Sequence, residues 1–449
     1  MRSPWLLLLL AALPAAARAQ EPGSVQEALL RAKPAVAMVI AEVGSEVTLT
    51  CGGREVRVTP APFRETGTGW FVAPSGWMIT NAHLVSPAYQ PPRWLTEQQA
   101  QKAARQGCPQ SATQAAATAK VKLDPAIYVI LSNGVRLPAT VAKYSPPVAG
   151  EAMSGRDLAL LRLEAADMPS LALGDSTALQ IGDRLHILGF PGVVVTHELL
   201  NASAKVEASV TNGAVSGFKQ DVANQPVIQT DAPAAWGTSG GPAVNDRGTV
   251  VGVLTFVSNS PGAEGGTVQG FNFVIPAAAV QDFLRGTAVP PGEKSTFNAA
   301  WHAGLSAFFA GRHSQAEKSF AEANRLMPEL PDVRRISGEN LERIKNPPPR
   351  PFPWAMVTSL VILASLGGYG AMWAARWKRN RFRIRPSEVA RLVEASLEPP
   401  VILDVRDAAT YAKSPVRIPN ARHVSAEDLE RGTADLDIER TRTLVAYCT

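Results

Sequence analysis

Ser239 lies in the stretch DAPAAWGTSGGPAVN (231–245), set between Gly237-Thr238 and Gly240-Gly241 and closed by Pro242. Small residues of this kind are what a turn between strands uses, and a serine in such a turn needs no special role. The same residues suit a nucleophile, because a serine hydroxyl exposed on a backbone without side chains lets a carbonyl reach inward-pointing N–H groups. A serine is a weak nucleophile until a base takes its proton, so that reading demands a histidine and a carboxylate elsewhere in the chain. His83, in GWMITNAHLV, and Asp157, in GRDLALLRLE, stand in suitable contexts. His186 (RLHILGF) and His197 lack such contexts and read as strand or loop residues, and Asp231 reads as structural.

The segments that must position these residues are short and apolar or alternating: VAMVIAEV, EVTLTC, GWFVA, AIYVIL, LALLRL, GTVVGVLTF and GFNFVI, with Gly, Pro and Asn between them. That rhythm predicts an all-β barrel or sandwich rather than an α/β sheet. Residues 87–122 interrupt it with an Ala/Gln-rich run that reads as a helical or mobile insertion.

The chain has 449 residues, too many for one ordinary core, and its net charge of +5 gives no case for nucleic acid. Residues 1–19 read as a secretory signal peptide, with Arg2, an apolar run and Ala17-Arg18-Ala19 at the cleavage site. The uncharged stretch 354–375, with Trp354 and Trp373 near its ends, is long enough to cross a bilayer once, and the basic run RWKRNRFRIR behind it favours the cytoplasmic side. The larger N-terminal part is therefore expected outside and the smaller C-terminal part inside. NPPPRPFP (346–353) is a stiff spacer. Cys51 and Cys108 share the exported side, where a disulfide persists, but pairing depends on geometry that spacing does not supply; Cys448 lies beyond the span.

Five segments in order, GTGWFVAPSGWMITNAHLV, RDLALLRLE, GFPG, IQTDAPAAWGTSGGPAVN and FVIPAAAV, resemble the trypsin-like protease domain of the HtrA/Deg family. The chain order His83, Asp157, Ser239 is that of chymotrypsin-type triads. The resemblance implies a double β-barrel over residues 36–290, with Ser239 as nucleophile, His83 as general base, Asp157 as its orienting carboxylate, and the N–H groups of Gly237 and Ser239 as the oxyanion hole. It implies polypeptide substrates and no metal or organic cofactor, and leaves open whether copies assemble. Thr238 stands where the family usually has Asn and Trp236 where Pro is common, which predicts a reshaped oxyanion turn. Pro233 stands where basic-specific relatives carry an acid, which favours a small or apolar residue before the scissile bond.

In place of the PDZ domains usual after such a protease, residues 297–345 resemble a tetratricopeptide repeat, carried by Gly304, Ala316, Phe320, Ala323 and Pro328. A plain helical hairpin reads equally from the same residues. A lone repeat must dock on the protease, pair with a copy or receive a partner. Residues 386–449 resemble part of a rhodanese domain through VILDVR, Tyr411, RIPNARHV and LVAYC, which puts Cys448 at the sulfur-carrying position. Only Thr449 follows, so a piece of a longer protein is expected. The leading expectation is a serine endopeptidase anchored in the inner membrane, with a periplasmic protease domain and a cytoplasmic C-terminal domain. Two alternatives are a protease-shaped scaffold that binds unfolded segments, and a sulfurtransferase with a regulatory exported domain.

Overall fold

The computed structural model describes residues 24–146, 156–259, 267–347 and 352–448. The expected signal peptide lies outside them, as does part of the 346–353 spacer. The chain divides into two units, Met1–Pro348 and Pro349–Thr449, each taken by itself.

In the first unit, helix α1 (Ser24–Ala32) leads into β1 (Val36–Cys51), β2 (Arg54–Val58), β3 (Phe63–Ala73) and β4 (Trp77–Thr80). Helices α2 (Ala82–Tyr89), α3 (Arg93–Gly107) and α4 (Ala112–Ala117) follow, then β5 (Lys120–Ile130), β6 (Arg136–Ser145) and β7 (Leu158–Leu163). The sheet runs β2-β1-β3-β4-β7-β6-β5, and β1 also pairs with β5, which closes a barrel. Along β1, Val39, Ala41, Val43, Val47 and Leu49 are buried at period two, the mark of a strand with one face on a core.

A second closed barrel, ordered β10-β13-β12-β11-β8-β9, comprises β8 (Arg184–Gly189), β9 (Ser209–Gln220), β10 (Pro226–Thr230), β11 (Pro242–Val244), β12 (Val250–Asn259) and β13 (Thr267–Pro276). Short helices α5 (Gly192–Val195) and α6 (Ala202–Lys205) sit in the β8–β9 connection, and α7 (Ala277–Leu284) follows β13. The all-β expectation thus resolves to two six-stranded barrels.

The 87–122 insertion is helical. Ala103, Ala104 and Ala115 pack on Val47 and Leu49 at the far end of β1, Ser45 Oγ donates to Gln99 Oε1 at 3.1 Å, and a Cys51–Cys108 disulfide ties α3 to the β1–β2 hairpin. The alanines of that run are what let α3 and α4 lie close on the strand.

Helices α8 (Thr296–Phe309), α9 (His313–Leu326) and α10 (Pro331–Lys345) share one apolar core with the first barrel. Phe297, Trp301, Phe320 and Ile336 belong to the same cluster as Leu30, Phe71 and Met168. Trp301 Nε1–H donates to the Leu30 carbonyl at 2.8 Å, and Asn133 Nδ2–H to the Pro328 carbonyl at 3.0 Å. Lys33 Nζ bridges Glu207 of the β8–β9 connection (2.6 Å) and Asp332 of α10 (3.0 Å). Of the three fates open to this segment, docking on the barrel is the one observed.

The second unit begins with α11 (Trp354–Asn380), long and apolar enough by length and composition to cross a membrane. It runs beyond the expected end at 375 because the following Arg and Lys are strong helix formers. Then come α12 (Pro386–Ala395), β14 (Val401–Asp404), α13 (Ala408–Lys413), β15 (Arg422–His423), α14 (Ala426–Glu430) and β16 (Leu444–Tyr447), whose strands form a parallel sheet ordered β15-β14-β16.

Truncating the fully buried Trp301 to Ala removes its packing and its bond to Leu30, at a cost of about 3–5 kcal/mol. Hydrogen exchange on the full chain should show α8–α10 and β1–β7 losing protection together; loss confined to the helices would contradict a shared core.

Candidate active site

Asp157 precedes β7 with a φ of 52°, in the left-handed region that costs energy for a residue with a Cβ. Its backbone is held there: Asp157 N–H donates to the Pro146 carbonyl (3.2 Å), and its own carbonyl accepts from Asn81 Nδ2–H (2.9 Å). The result aims a buried carboxylate at the start of α2. Oδ1 accepts from the His83 backbone N–H at 2.9 Å, while Oδ2 lies 2.8 Å from His83 Nδ1 and accepts from Thr255 Oγ1 at 2.6 Å. A carboxylate only accepts, so His83 carries its proton on Nδ1 and leaves the Nε2 lone pair free.

Burial pushes the His83 imidazole down, but the hydrogen bond it donates to Asp157, the Asp157 charge and the charge of Glu65 on β3 outweigh that, and the pKa is raised. Glu65 is raised in turn by its burial, against the opposing pull of His83.

The turn bearing Ser239 comes from the second barrel and is seated on the first. Thr68 N–H donates to the Ser239 carbonyl (2.9 Å), and Thr68 Oγ1 donates to the Gly237 carbonyl (2.8 Å) while accepting from Phe190 N–H (3.0 Å). Gly240, at φ 83°, fits so closely that a Cβ there would meet the Thr68 carbonyl at 2.1 Å, Thr80 Oγ1 at 2.6 Å and Asn81 N at 3.1 Å. The turn therefore lies against the residues just ahead of His83, and all three members of the sequence-predicted set converge on the seam between the barrels. Among the described residues, no hydrogen bond joins the Ser239 hydroxyl to His83.

Within the turn the amides divide into two kinds. Thr238 N–H donates to Ala235 (3.0 Å), Gly240 N–H to Leu254 (2.8 Å) and Gly241 N–H to Thr238 (3.0 Å). Those of Gly237 and Ser239 find no acceptor among the described residues. Gly237 has a φ of 96°, with a would-be Cβ 2.5 Å from the Phe190 carbonyl, so only glycine fits. Thr238, one of the two departures noted in the sequence, ties the turn together: its Oγ1 donates to the Ala235 carbonyl (2.6 Å) and accepts from Ala235 N–H (3.2 Å). Trp236, the other, is 68% exposed beside it.

The remaining candidates fall elsewhere. His186 is buried on β8 between Asn212 Oδ1 (2.7 Å) and Asp246 Oδ1 (2.8 Å), and His197 is exposed on the β8–β9 connection. Asp231 Oδ1 accepts from Ala214 N–H at 2.6 Å, a structural tie as expected. Pro233 is exposed, with its carbonyl accepting from Thr211 Oγ1 at 2.7 Å. Cys448 is a free, exposed thiol just after β16, in the second unit. Sequence reasoning did not find Thr68, Asn81, Thr255 or Glu65. Asn81 adjoins His83 and was within reach, whereas Thr255 arrives from the other barrel.

Residues 67–253 match the trypsin-like peptidase domain family. A probable periplasmic serine endoprotease, DegP-like, of Chlamydia pneumoniae is 28% identical over 215 residues, which is 47% of this chain and 32% of that protein. A DegP-like counterpart of Halomonas elongata is 25% identical over 222 residues, 49% of this chain and 34% of that one. The chain thus spans about a third of the length of the curated relatives it matches. Among solved structures, an HtrA-type protease AlgW with tripeptide aligns at a TM-score of 0.36 and 22% identity, over 58% of this chain and 63% of that one. The segment shared with the curated relatives is thus similar to serine endoproteases.

With its pKa raised, His83 should hold its proton to higher pH than an ordinary histidine and lose it only above that value. NMR titration of the imidazole checks this: Glu65→Gln should move the midpoint down modestly and Asp157→Asn further, whereas an unmoved midpoint in both would contradict the electrostatic account.

Proposed function

We propose that the chain is a membrane-anchored serine endopeptidase that cleaves exported polypeptides through Ser239, His83 and Asp157. The observation that carries the reading is the pairing of a doubly held His83, its Nε2 free, with a turn whose two unengaged amides belong to Gly237 and Ser239. Ser239 Oγ attacks the substrate carbonyl as its proton passes to His83 Nε2, and the same proton goes to the leaving amine. Asp157 holds the imidazole in the correct tautomer and stabilises its positive form. The oxygen that becomes negative is received by the two amides, each such donor being worth about 3–4 kcal/mol in proteases where one was removed. Acyl-enzyme hydrolysis repeats the sequence with water in place of the amine.

The missing Ser239–His83 hydrogen bond fits a resting site, since such bonds are often long without substrate and tighten with it. It also suits the alternative of a scaffold that binds unfolded segments without cutting them. The lack of charge at Pro233 favours a small or apolar residue before the scissile bond.

The span is read in α11 from its length and apolar composition, with the Arg376–Arg385 basic run on the cytoplasmic side and the barrels in the periplasm. Helices α8 and α9 are read as a tetratricopeptide-like pair put to use as a docked buttress. The parallel sheet of the second unit, with Asp404 paired to Arg406 and accepting from Tyr447 Oη–H at 2.6 Å, supports the partial rhodanese-like reading in which Cys448 would carry sulfur.

Full-length chain in detergent should cleave casein, and Ser239→Ala should lower the rate by at least about a thousandfold. Equal binding of casein by both forms with cleavage by neither would favour the scaffold.

A further inference from the structure

The run RWKRNRFRIR, which ends α11 and leads to α12, carries the cations Arg376, Lys378, Arg379, Arg381, Arg383 and Arg385 with no acid among them. From Trp354 onward the first acid is Glu388, and its Oε2 accepts from the Arg385 backbone N–H at 3.1 Å. Every residue of the run is exposed. The Arg381 guanidinium lies 4.5 Å over the ring of its neighbour Phe382. The side chains of Arg376, Lys378, Arg379 and Arg383 have no ion pair or hydrogen bond among the described residues. A helix C-terminus favours cations in its last turn, which accounts for Lys378 and Arg379. It does not account for Arg383 and Arg385, which lie past the helix. Like charges at this density repel one another, so the run calls for a polyanionic counterpart from outside the chain.

Depth decides what that counterpart is. The uncharged stretch 354–375 rises about 33 Å as a helix, enough to cross a hydrocarbon core of about 30 Å. Helix α11 continues unbroken to Asn380, so Arg376, Lys378 and Arg379 begin within roughly 6 Å of the end of that stretch. The headgroup layer of one leaflet is about 5–7 Å thick, which puts these side chains level with lipid phosphates. At about 100° per residue the three point to different sides of the helix instead of forming one stripe. That distribution suits a ring of headgroups around the helix, and not a partner helix on one face. Trp373 and Trp377 are exposed at the same level, and Phe382 and Ile384 alternate with the arginines beyond it, as in segments that lie in a bilayer interface.

We propose that the Arg376–Arg385 run binds the headgroups of anionic phospholipid, such as phosphatidylglycerol, in the leaflet at the C-terminal end of α11. The proposal rests on the reading of α11 as a membrane span. The guanidinium groups of Arg376 and Arg379 match a phosphate with paired N–H donors, and Lys378 adds a point charge. A zwitterionic headgroup offers the same phosphate but brings its own cation, so the run discriminates by net charge. A soluble polyanion such as RNA has no access to the first turn past the span, which the headgroups surround.

The test uses the full-length chain released from micelles that hold equal amounts of phosphatidylglycerol and phosphatidylcholine, with bound lipid counted by native mass spectrometry. Phosphatidylglycerol adducts should exceed phosphatidylcholine adducts at least about fivefold, the effect of one cation near an anionic surface. The triple variant Arg376→Gln, Lys378→Gln, Arg379→Gln should bring the ratio close to parity. The double variant Arg376→Lys, Arg379→Lys keeps the charge and should keep most of the preference. Equal adducts of the two lipids on the unaltered chain, or a ratio unmoved by the Gln triple, overturns the proposal. Displacement of the lipid by a short oligoribonucleotide at physiological salt also overturns it, by making the run a general polyanion site. Flotation with neutral phosphatidylcholine vesicles after a carbonate wash reports on the span separately. A chain that floats yet shows no preference refutes the lipid site alone, and one that fails to float refutes the span and the site with it. Casein cleavage by the Gln triple should match that of the unaltered chain, which checks that the variant is folded.

Discussion

The site exists only because the two barrels are locked in register at one buried residue, Thr68. Its amide, hydroxyl and carbonyl each take part: they hold Ser239, Gly237, Phe190 and Thr80 together within hydrogen-bond distance. In a buried seam such bonds cannot be exchanged for water, so slippage of one barrel on the other would strand several polar groups at once. That cost is what fixes a serine on one barrel against a histidine on the other. The same logic governs Asp157, whose carboxylate is claimed from the first barrel by His83 and from the second by Thr255.

Around that seam the rest of the first unit acts as support. The Asp157 backbone is kept in an unfavourable conformation, which persists because Pro146 and Asn81 fix both of its ends. Helices α8–α10 complete the first barrel's core, and Lys33 ties them to Glu207 in the connection that also carries Gly192. Gly192 N–H donates to the Trp236 carbonyl at 2.6 Å, one residue before Gly237. A chain of contacts thus links the helical segment to the edge of the turn that bears Ser239.

Much of this was legible in the sequence, and the parts that were not have a common cause. Ser239, His83 and Asp157 sit in local patterns that need the residues beside them, so spacing and context pointed to them. The barrels were legible as strand rhythm, but their closure was not, because the β1–β5 pairing joins segments separated by the whole insertion. Thr68 is hidden in GTG, where a threonine between glycines reads as turn chemistry. Thr255 lies inside an apolar strand and gains its meaning only from a partner on the other barrel. The docking of α8–α10 was left open for the same reason: their apolar faces were readable, and what covers them was not. Cys51 and Cys108 both fall in the first unit, yet only the fold brings the β1 end and the α3 end together.

The central claim is that His83, held by Asp157, activates Ser239 and no other serine. Treating the intact protein with a fluorophosphonate and mapping the adduct by mass spectrometry tests it most directly, because the reagent reports nucleophile activation without needing the natural substrate. The account predicts one stoichiometric adduct, on Ser239, lost in His83→Ala and strongly slowed in Asp157→Asn. An adduct on another serine, or labelling of Ser239 undiminished in His83→Ala, would contradict it.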